Sequence, residues 1–499
     1  MPVFAPITTA RCAAGLALCI AFSATLSAEV RCPAIFGDHM VLQRGKTVPV
    51  WGEAQPGESV SVEFADEVKT TKADDQGRWR VSLSALTAST EPRALIVRGE
   101  NALTFSDVLV GDVWFCSGQS NMEKPFGPRK GQQPTEHSDG EFAAADRPNL
   151  RLFQVPHSGV AGNKPAVLQW VRSTPASLRD SQFSAAGYVF GRELLAALKD
   201  VPIGLIHSSF GGTQIEAWLP PEAFAETPEL KGVEKTEIPA WVKGVQATEL
   251  YTSMVKPFTP YALRGFLWYQ GEANCMMADC GPSYTTKLRA LVGFWRKAWG
   301  DDDLPFYYAL IAPFDYSTRQ KFPKPLTPEA LPAFWEAQIA ALDVPKTGLI
   351  VTTDLVANVR DIHPVDKRDV GIRFAKLALA ETYGRNDVVA HGPRFDKASA
   401  DNTGRLVLAF SHAEGLHSRD GKPLTEFSIA DEDRVFHPAA AVVEGKTVIV
   451  SSPEVPHPVA ARFAWRETAL PNLENGAGLP AVPFRTDNWP VALLREKKN

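Results

Sequence analysis

The sequence predicts an α/β protein built on a parallel sheet, with a β-rich region on either side of that sheet in the chain. Three observations carry this. Short apolar runs separated by turn residues extend to about residue 107, strand-like runs alternate with helical periodicity from 108 to 391, and β character returns from 392 to 499. At 499 residues the chain is longer than one hydrophobic core usually serves, and a 44% hydrophobic content with 12 Trp and 27 Phe can fill more than one.

Residues 1–28 have the pattern of an export signal. Arg11 gives a positive flank, Cys12 to Leu26 are apolar, and Leu26-Ser27-Ala28 offers a small-residue cleavage site. A signal peptide predicts an exported protein, periplasmic or secreted, with no membrane contact after processing. No second stretch is long and apolar enough to span a bilayer. Over 29–107, Val48-Pro49-Val50-Trp51, Val60-Ser61-Val62, Trp79 with Val81 and Leu83, and Leu95-Ile96-Val97 are separated by Gln55-Pro56-Gly57, Asp75-Gln76-Gly77 and Gly99. That alternation predicts an N-terminal β-sandwich, and it holds no cluster of titratable residues that suggests chemistry.

Within 108–391, strands are predicted at 108–115, 203–207, 265–269, 306–311 and 349–353. Helices are predicted at 185–198, 284–299, 333–342 and 367–382, with Ser184 and Asp366 as caps. Beyond 392 the clearest strands are 406–410 and 448–451, in a C-terminal β-rich domain that ends in a Pro-rich tail. A formal net charge of -5 with no long run of one sign argues against nucleic acid or an anionic membrane as partner. Of the 6 cysteines, Cys12 and Cys19 fall in the signal; Cys275 and Cys280 bracket a short loop and could pair in an oxidising compartment. Cys116 reads as a buried thiol, and no Cys/His spacing resembles a zinc site.

Candidate chemistry follows three predicted strands, at the end of the sheet where open α/β folds bind ligands. The run Trp114-Phe115-Cys116-Ser117 stops at Gly118-Gln119-Ser120-Asn121, which puts the Ser120 hydroxyl at the carboxyl end of a strand. The Gly-x-Ser-x-Gly elbow is incomplete, because Met122 stands where its second glycine would be. After the next strand, Phe210-Gly211-Gly212-Thr213 can bring backbone amides close, and after the third comes Gln270-Gly271-Glu272-Ala273-Asn274. A nucleophilic serine needs a base. Asp361-Ile362-His363-Pro364 precedes the last helix of this region, so His363 can take the proton while Asp361 orients the ring. His157, His207, His391, His412 and His437 lack that combination, although His207 ends a strand.

The block Gly111-Asp112-Val113-Trp114-Phe115-Cys116-Ser117-Gly118-Gln119-Ser120-Asn121-Met122, with Trp268-Tyr269-Gln270-Gly271-Glu272 and Ile362-His363-Pro364 plus Lys367, resembles the sialate O-acetylesterase family of the SGNH hydrolase superfamily. The likeness extends to Phe36-Gly37-Asp38-His39-Met40-Val41-Leu42-Gln43 and to Gly478-Leu479-Pro480 with Pro483-Phe484-Arg485, nearly the whole mature chain. The resemblance implies a flavodoxin-like catalytic domain and a serine esterase that removes O-acetyl groups from carbohydrate through an acetyl-serine intermediate, without metal or organic cofactor. It implies Ser120 as nucleophile and His363 as base. The oxyanion hole would come from the Ser120 amide, Gly212 (Gly211 being the near alternative) and Gln270, while Gln119, Asn121 and Glu272 are expected to contact substrate.

This chain departs from the superfamily pattern in two places. The usual Asp-x-x-His would put the acid at Arg360, so orientation of His363 falls to Asp361 or to Asp354. Gln270-Gly271-Glu272 replaces the usual Gly-x-Asn-Asp. The substrate class is an O-acetylated sialic acid or a plant polysaccharide such as xylan, and Arg129, Arg360 and Arg264 are the arginines considered for an anionic sugar. One rival reading is a non-catalytic carbohydrate-binding protein, from the two β regions and the many tryptophans. The other is a glycosidase using Glu272 with Asp315 or Asp354.

Overall fold

A computed structural model of the chain describes residues 1–3, 29–157, 168–235, 245–319 and 321–496; the expected export segment from residue 4 onward lies outside them. Its central sheet is formed by β1 (Ala102–Gly118), β2 (Arg147–Gln154), β3 (Trp170–Ser173), β4 (Ile203–Ser209), β5 (Gly265–Tyr269), β6 (Phe306–Ala309) and β7 (Thr347–Ile350). The order across the sheet is β7-β6-β5-β1-β4-β2-β3, parallel throughout except for the edge strand β3. Setting aside the added edge of β2 and β3, the remaining five strands run in the flavodoxin-like order 2-1-3-4-5. From β1 the chain goes first to one side of the sheet and then to the other. The crevice at this switch point opens beyond the carboxyl end of β1, where Ser120 lies.

Strand alternation fixes what covers each face. Successive side chains of a strand point to opposite faces, so Trp114 packs edge-on against Phe190 at 5.0 Å, while Phe115 meets Trp295 and Trp299, each at 5.8 Å. Phe190 belongs to α1 (Ala185–Leu198) and the two tryptophans to α2 (Pro282–Trp299). The N-terminus of α1 is where the sequence places it, with the Ser184 hydroxyl accepting from Gly187 N at 2.9 Å. The predicted cap at Asp366 is displaced by one: Lys367 precedes α3 (Arg368–Glu381), and Asp366 Oδ1 accepts from Asp369 N at 2.9 Å.

The expected boundary between residues 107 and 108 falls inside a strand. β1 is 17 residues long; its first half pairs with Ser89–Arg98 and its second half with β4 and β5. Asp107, at φ 54, bends it there, and its carboxylate accepts from Arg151, Arg172 and His39. Buried apolar residues of positions 30–107 and of the parallel sheet form one continuous core. The C-terminal β sheets have a separate one around Leu408, Ile429, Val448 and Phe463. Among the described residues no helix is long and apolar enough to cross a membrane.

Candidate active site

Gly118 ends β1 at φ 141, and a Cβ there would lie 2.2 Å from the Tyr269 carbonyl oxygen, so only glycine fits. The close approach lets Gln119 N donate to Tyr269 O and Phe210 N donate to Gly118 O. All three post-strand loops therefore meet at Ser120. The serine opens a one-turn helix, Ser120–Glu123, so its own N–H has no intrahelical acceptor. Its hydroxyl makes no hydrogen bond among the described residues, and the side chain is half-buried. Gly211 passes directly beside it, since a Cβ there would be 3.2 Å from Ser120 Cβ.

The residue after the serine interlocks the three blocks. Asn121 Nδ2 donates to Glu272 Oε1 at 2.5 Å and to Ile362 O at 3.0 Å, while its Oδ1 accepts from Lys367 Nζ at 2.9 Å. Asn121 and Lys367 are fully buried and Glu272 is 1% exposed. The backbone just before His363 is thus tied to the residue just after Ser120. Burial pushes the Lys367 ammonium down to about 7, and it pushes the Glu272 carboxyl up despite the Asn121 hydrogen bond.

His363 is half-buried, and burial together with the Lys367 charge lowers it to about 4. Asp361 Oδ1 accepts from the His363 backbone N at 2.9 Å but stands 4.0 Å from ring Nδ1, outside hydrogen-bonding range. Asp354, the alternative acid, is occupied elsewhere in a two-pronged ion pair with Arg373 at 2.7 and 2.6 Å. His207 is a core residue. Its Nδ1 meets Gln154 Oε1 at 2.7 Å, and burial lowers its pKa to about 3.

Several expected roles change. Gln119, Asn121 and Glu272, expected at the substrate, are buried and bond one another's loops, Gln119 Oε1 accepting from Gln270 Nε2, Gly271 N and Ala273 N. Gln119 Nε2 has no acceptor among the described residues. Gln270 is not aimed at an oxyanion either: its amide nitrogen donates to Thr213 O, Asn274 Oδ1 and Gln119 Oε1 within a fully buried cluster. The Gly211 N–H is taken by Glu123 Oε2 at 2.9 Å, while Gly212 sits at φ 77 in the same loop.

Glu123, which sequence reading passes over, is anchored by Arg129 at 2.7 Å and by His157 at 3.0 Å, and His157 stacks on Phe210 at 3.9 Å. Burial alone would raise the Glu123 carboxyl, but these partners hold it below the usual range. Of the other arginines, Arg264 pairs with Asp112 at the far end of the strands and Arg360 is exposed. Cys116 is a buried free thiol. Cys275 and Cys280 are also free, with sulfurs 3.6 Å apart, so the pairing considered for them is not formed.

The family model "Carbohydrate esterase, sialic acid-specific acetylesterase" matches residues 110–380. A crystal structure of a carbohydrate acetylesterase from Xanthomonas citri superposes with a TM-score of 0.80 at 36% identity, covering 92% of this chain and 100% of that one. The sialate O-acetylesterases of Homo sapiens and Mus musculus are each 26% identical over 94% of this chain, covering 95% and 97% of their own lengths.

Proposed function

The chain belongs to the carbohydrate esterases of the sialic acid-specific acetylesterase family, and from that premise we propose that Ser120 is the nucleophile and His363 the base of an acetyl transfer to water. Membership makes the protein a carboxylic ester hydrolase that deacetylates carbohydrate, which sets aside the non-catalytic reading. Membership likewise argues against the glycosidase reading, and of its carboxylates Glu272 is 1% exposed and bonded to Asn121 while Asp354 is held by Arg373.

The observation that carries the proposal is the tie between the serine and histidine loops through Asn121 and Ile362 O. His363, with its pKa lowered to about 4, is neutral at pH 7 and able to accept the Ser120 proton. The serine oxygen attacks the acetyl carbon, the sugar hydroxyl leaves with the proton from His363, and water then cleaves the acetyl-serine with the same base. Asp361 is the nearer of the two candidate acids and steadies the imidazolium. The Ser120 N–H, without an acceptor among the described residues, argues for one oxyanion donor, and Gln119 Nε2 replaces Gln270 as the side-chain donor. Gly212 is retained as the third on resemblance alone. One such donor typically lowers the barrier by about 3 kcal/mol.

For substrate, the family description and the mammalian relatives support an O-acetylated sialic acid, and Arg129, beside Glu123 next to Ser120, is a cation within this site. Ser120→Ala and His363→Ala should each abolish p-nitrophenyl acetate hydrolysis, and a fluorophosphonate should label wild type at Ser120. Retained activity in Ser120→Ala would end the serine mechanism. Faster acetate release from acetylated xylan than from acetylated sialoglycan would replace the sialate assignment.

A further inference from the structure

The C-terminal β sheets have their own core, yet one of their carboxylates reaches the loop that braces the histidine segment. Glu467 follows the strand Ala460–Phe463 and is 3% exposed. Its Oε2 accepts from Ser317 N at 2.8 Å, its Oε1 accepts from Ser317 Oγ, and its backbone O accepts from Phe314 N at 2.9 Å. Its own N–H donates to Pro328 O at 2.9 Å. Both oxygens of a buried carboxylate are thus engaged by one residue of segment 314–319.

That segment faces the histidine loop on its other side. Asp315 N donates to Val359 O at 2.9 Å, and Arg319 Nη2 donates to Arg360 O at 2.7 Å. Two consecutive carbonyls immediately ahead of Asp361 are therefore held by segment 314–319. The next turn is closed by Asp361 Oδ1 on His363 N, and Ile362 O is tied to Asn121. A path of side-chain and backbone hydrogen bonds, joined along segment 314–319, runs from the Glu467 carboxylate through Ser317, Asp315 and Arg319 to the two residues before Asp361.

We propose that Glu467 is a positioning residue for the esterase reaction: through Ser317 it fixes segment 314–319, which sets the height of the Val359–His363 backbone over Ser120. The C-terminal β region thereby takes part in assembling the active site. The inference rests on His363 being the base. Burial pushes the Glu467 carboxyl up, and the Ser317 N–H and hydroxyl, both donating to it, oppose that shift.

The test uses the full chain with Glu467→Gln, Glu467→Ala and Ser317→Ala, each calibrated by end-point fluorophosphonate labelling to give kcat per active site on p-nitrophenyl acetate. A displacement of about 1 Å in a reacting group can cost on the order of 100-fold, so a partial loss of about 10-fold in kcat is expected for Glu467→Gln and Ser317→Ala, with KM within about two-fold. A purely structural role would lower the labelled fraction and the melting temperature but leave kcat per labelled site at the wild-type value, and that result in both variants overturns the proposal. Should Glu467→Ala fail to fold, the other two variants still decide. His363→Ala is measured alongside: if it is inactive while the Glu467 and Ser317 variants turn over normally, only this inference falls, whereas an active His363→Ala removes the reading beneath it.

Discussion

Replacing Asn121 by Ala removes the side chain that ties the serine block to the Glu272 loop and to the His363 segment. Two of its hydrogen bonds involve ionisable partners, Lys367 at 2.9 Å and Glu272 at 2.5 Å, and the third goes to Ile362 O at 3.0 Å. Bonds to charged groups contribute about 1.5–3 kcal/mol each and a neutral one about 1 kcal/mol, but they share one side chain and do not add. Leaving a buried charge without its partner costs about 3–5 kcal/mol, so a loss of roughly 4 kcal/mol is expected, a large part of a typical stability. The sign of the pH dependence follows from Lys367, whose folded pKa of about 7 lies below its ordinary 10.5. Below about pH 7 the folded protein carries the ammonium, and the lost acceptor is felt in full; above it the amine is neutral and that part of the cost fades. Urea unfolding at pH 6 and pH 8.5 should therefore show a larger deficit at pH 6. Turnover should fall by about 100-fold, because Ile362 O is no longer held. Asn121→Asp separates the contributions: the introduced carboxylate still accepts from Lys367 but opposes Glu272 unless one of the two is protonated, so its stability should recover as pH falls. Wild-type midpoint and kcat in Asn121→Ala would refute the interlock.

Four further outcomes are expected. With His363 lowered to about 4, kcat/KM should hold through pH 6 and fall with a midpoint near 4, and stability should rise with pH between about 4 and 6.5 because the unfolded chain binds that proton more tightly; a midpoint at 6.5 would count against this environment. Gly211→Ala adds a Cβ 2.9 Å from Glu123 Oε2 and 3.2 Å from Ser120 Cβ, so kcat should drop by about 10-fold or more with the fold retained, as circular dichroism and turnover would show. Asp354→Ala strands the buried Arg373 and should cost about 3–5 kcal/mol in urea unfolding with little change in kcat per labelled site. Asp361→Ala should do the reverse, and an exchange of these two phenotypes would transfer the orienting role to Asp354.

Much of this site is legible in the chain because its parts are local. The helix Ala185–Leu198 is readable end to end, since Ser184, the apolar period and the final leucine agree. Ser120 and His363 stand out because each is flanked by residues that stop a strand or precede a helix. β1 is longer than its apolar run predicts, as Ala102–Asp107 has the half-exposed alternation of a strand with one face in solvent. β2 escapes notice because it begins Arg-Pro-Asn and buries an arginine, Arg151, that only Asp107 and nearby carbonyls neutralise. Contacts such as Gly211 with Glu123 and Asn121 with Ile362 join residues 88 and 241 positions apart, and no local pattern announces them.

The misassigned residues share one physical cause. A polar residue just after a strand is equally suited to meeting a ligand or to meeting the next loop, and the sequence looks the same either way. Burial decides, because an amide or ammonium taken out of water without a partner costs several kcal/mol, so in a closed cluster each polar atom must be satisfied by protein. Gln119, Asn121, Gln270, Glu272 and Lys367 form a cluster close to that limit, with Glu272 Oε2 and Gln119 Nε2 the exceptions among the described residues, and Ser120 is the half-buried residue at its rim. A largely satisfied buried network is stiff, and stiffness is what a serine and a histidine from distant segments need in order to hold a reacting geometry. Substitutions within the cluster should then lower turnover of every acetyl ester alike. Discrimination among sugars must come from residues that reach solvent beside Ser120, Arg129 and His157 first among them.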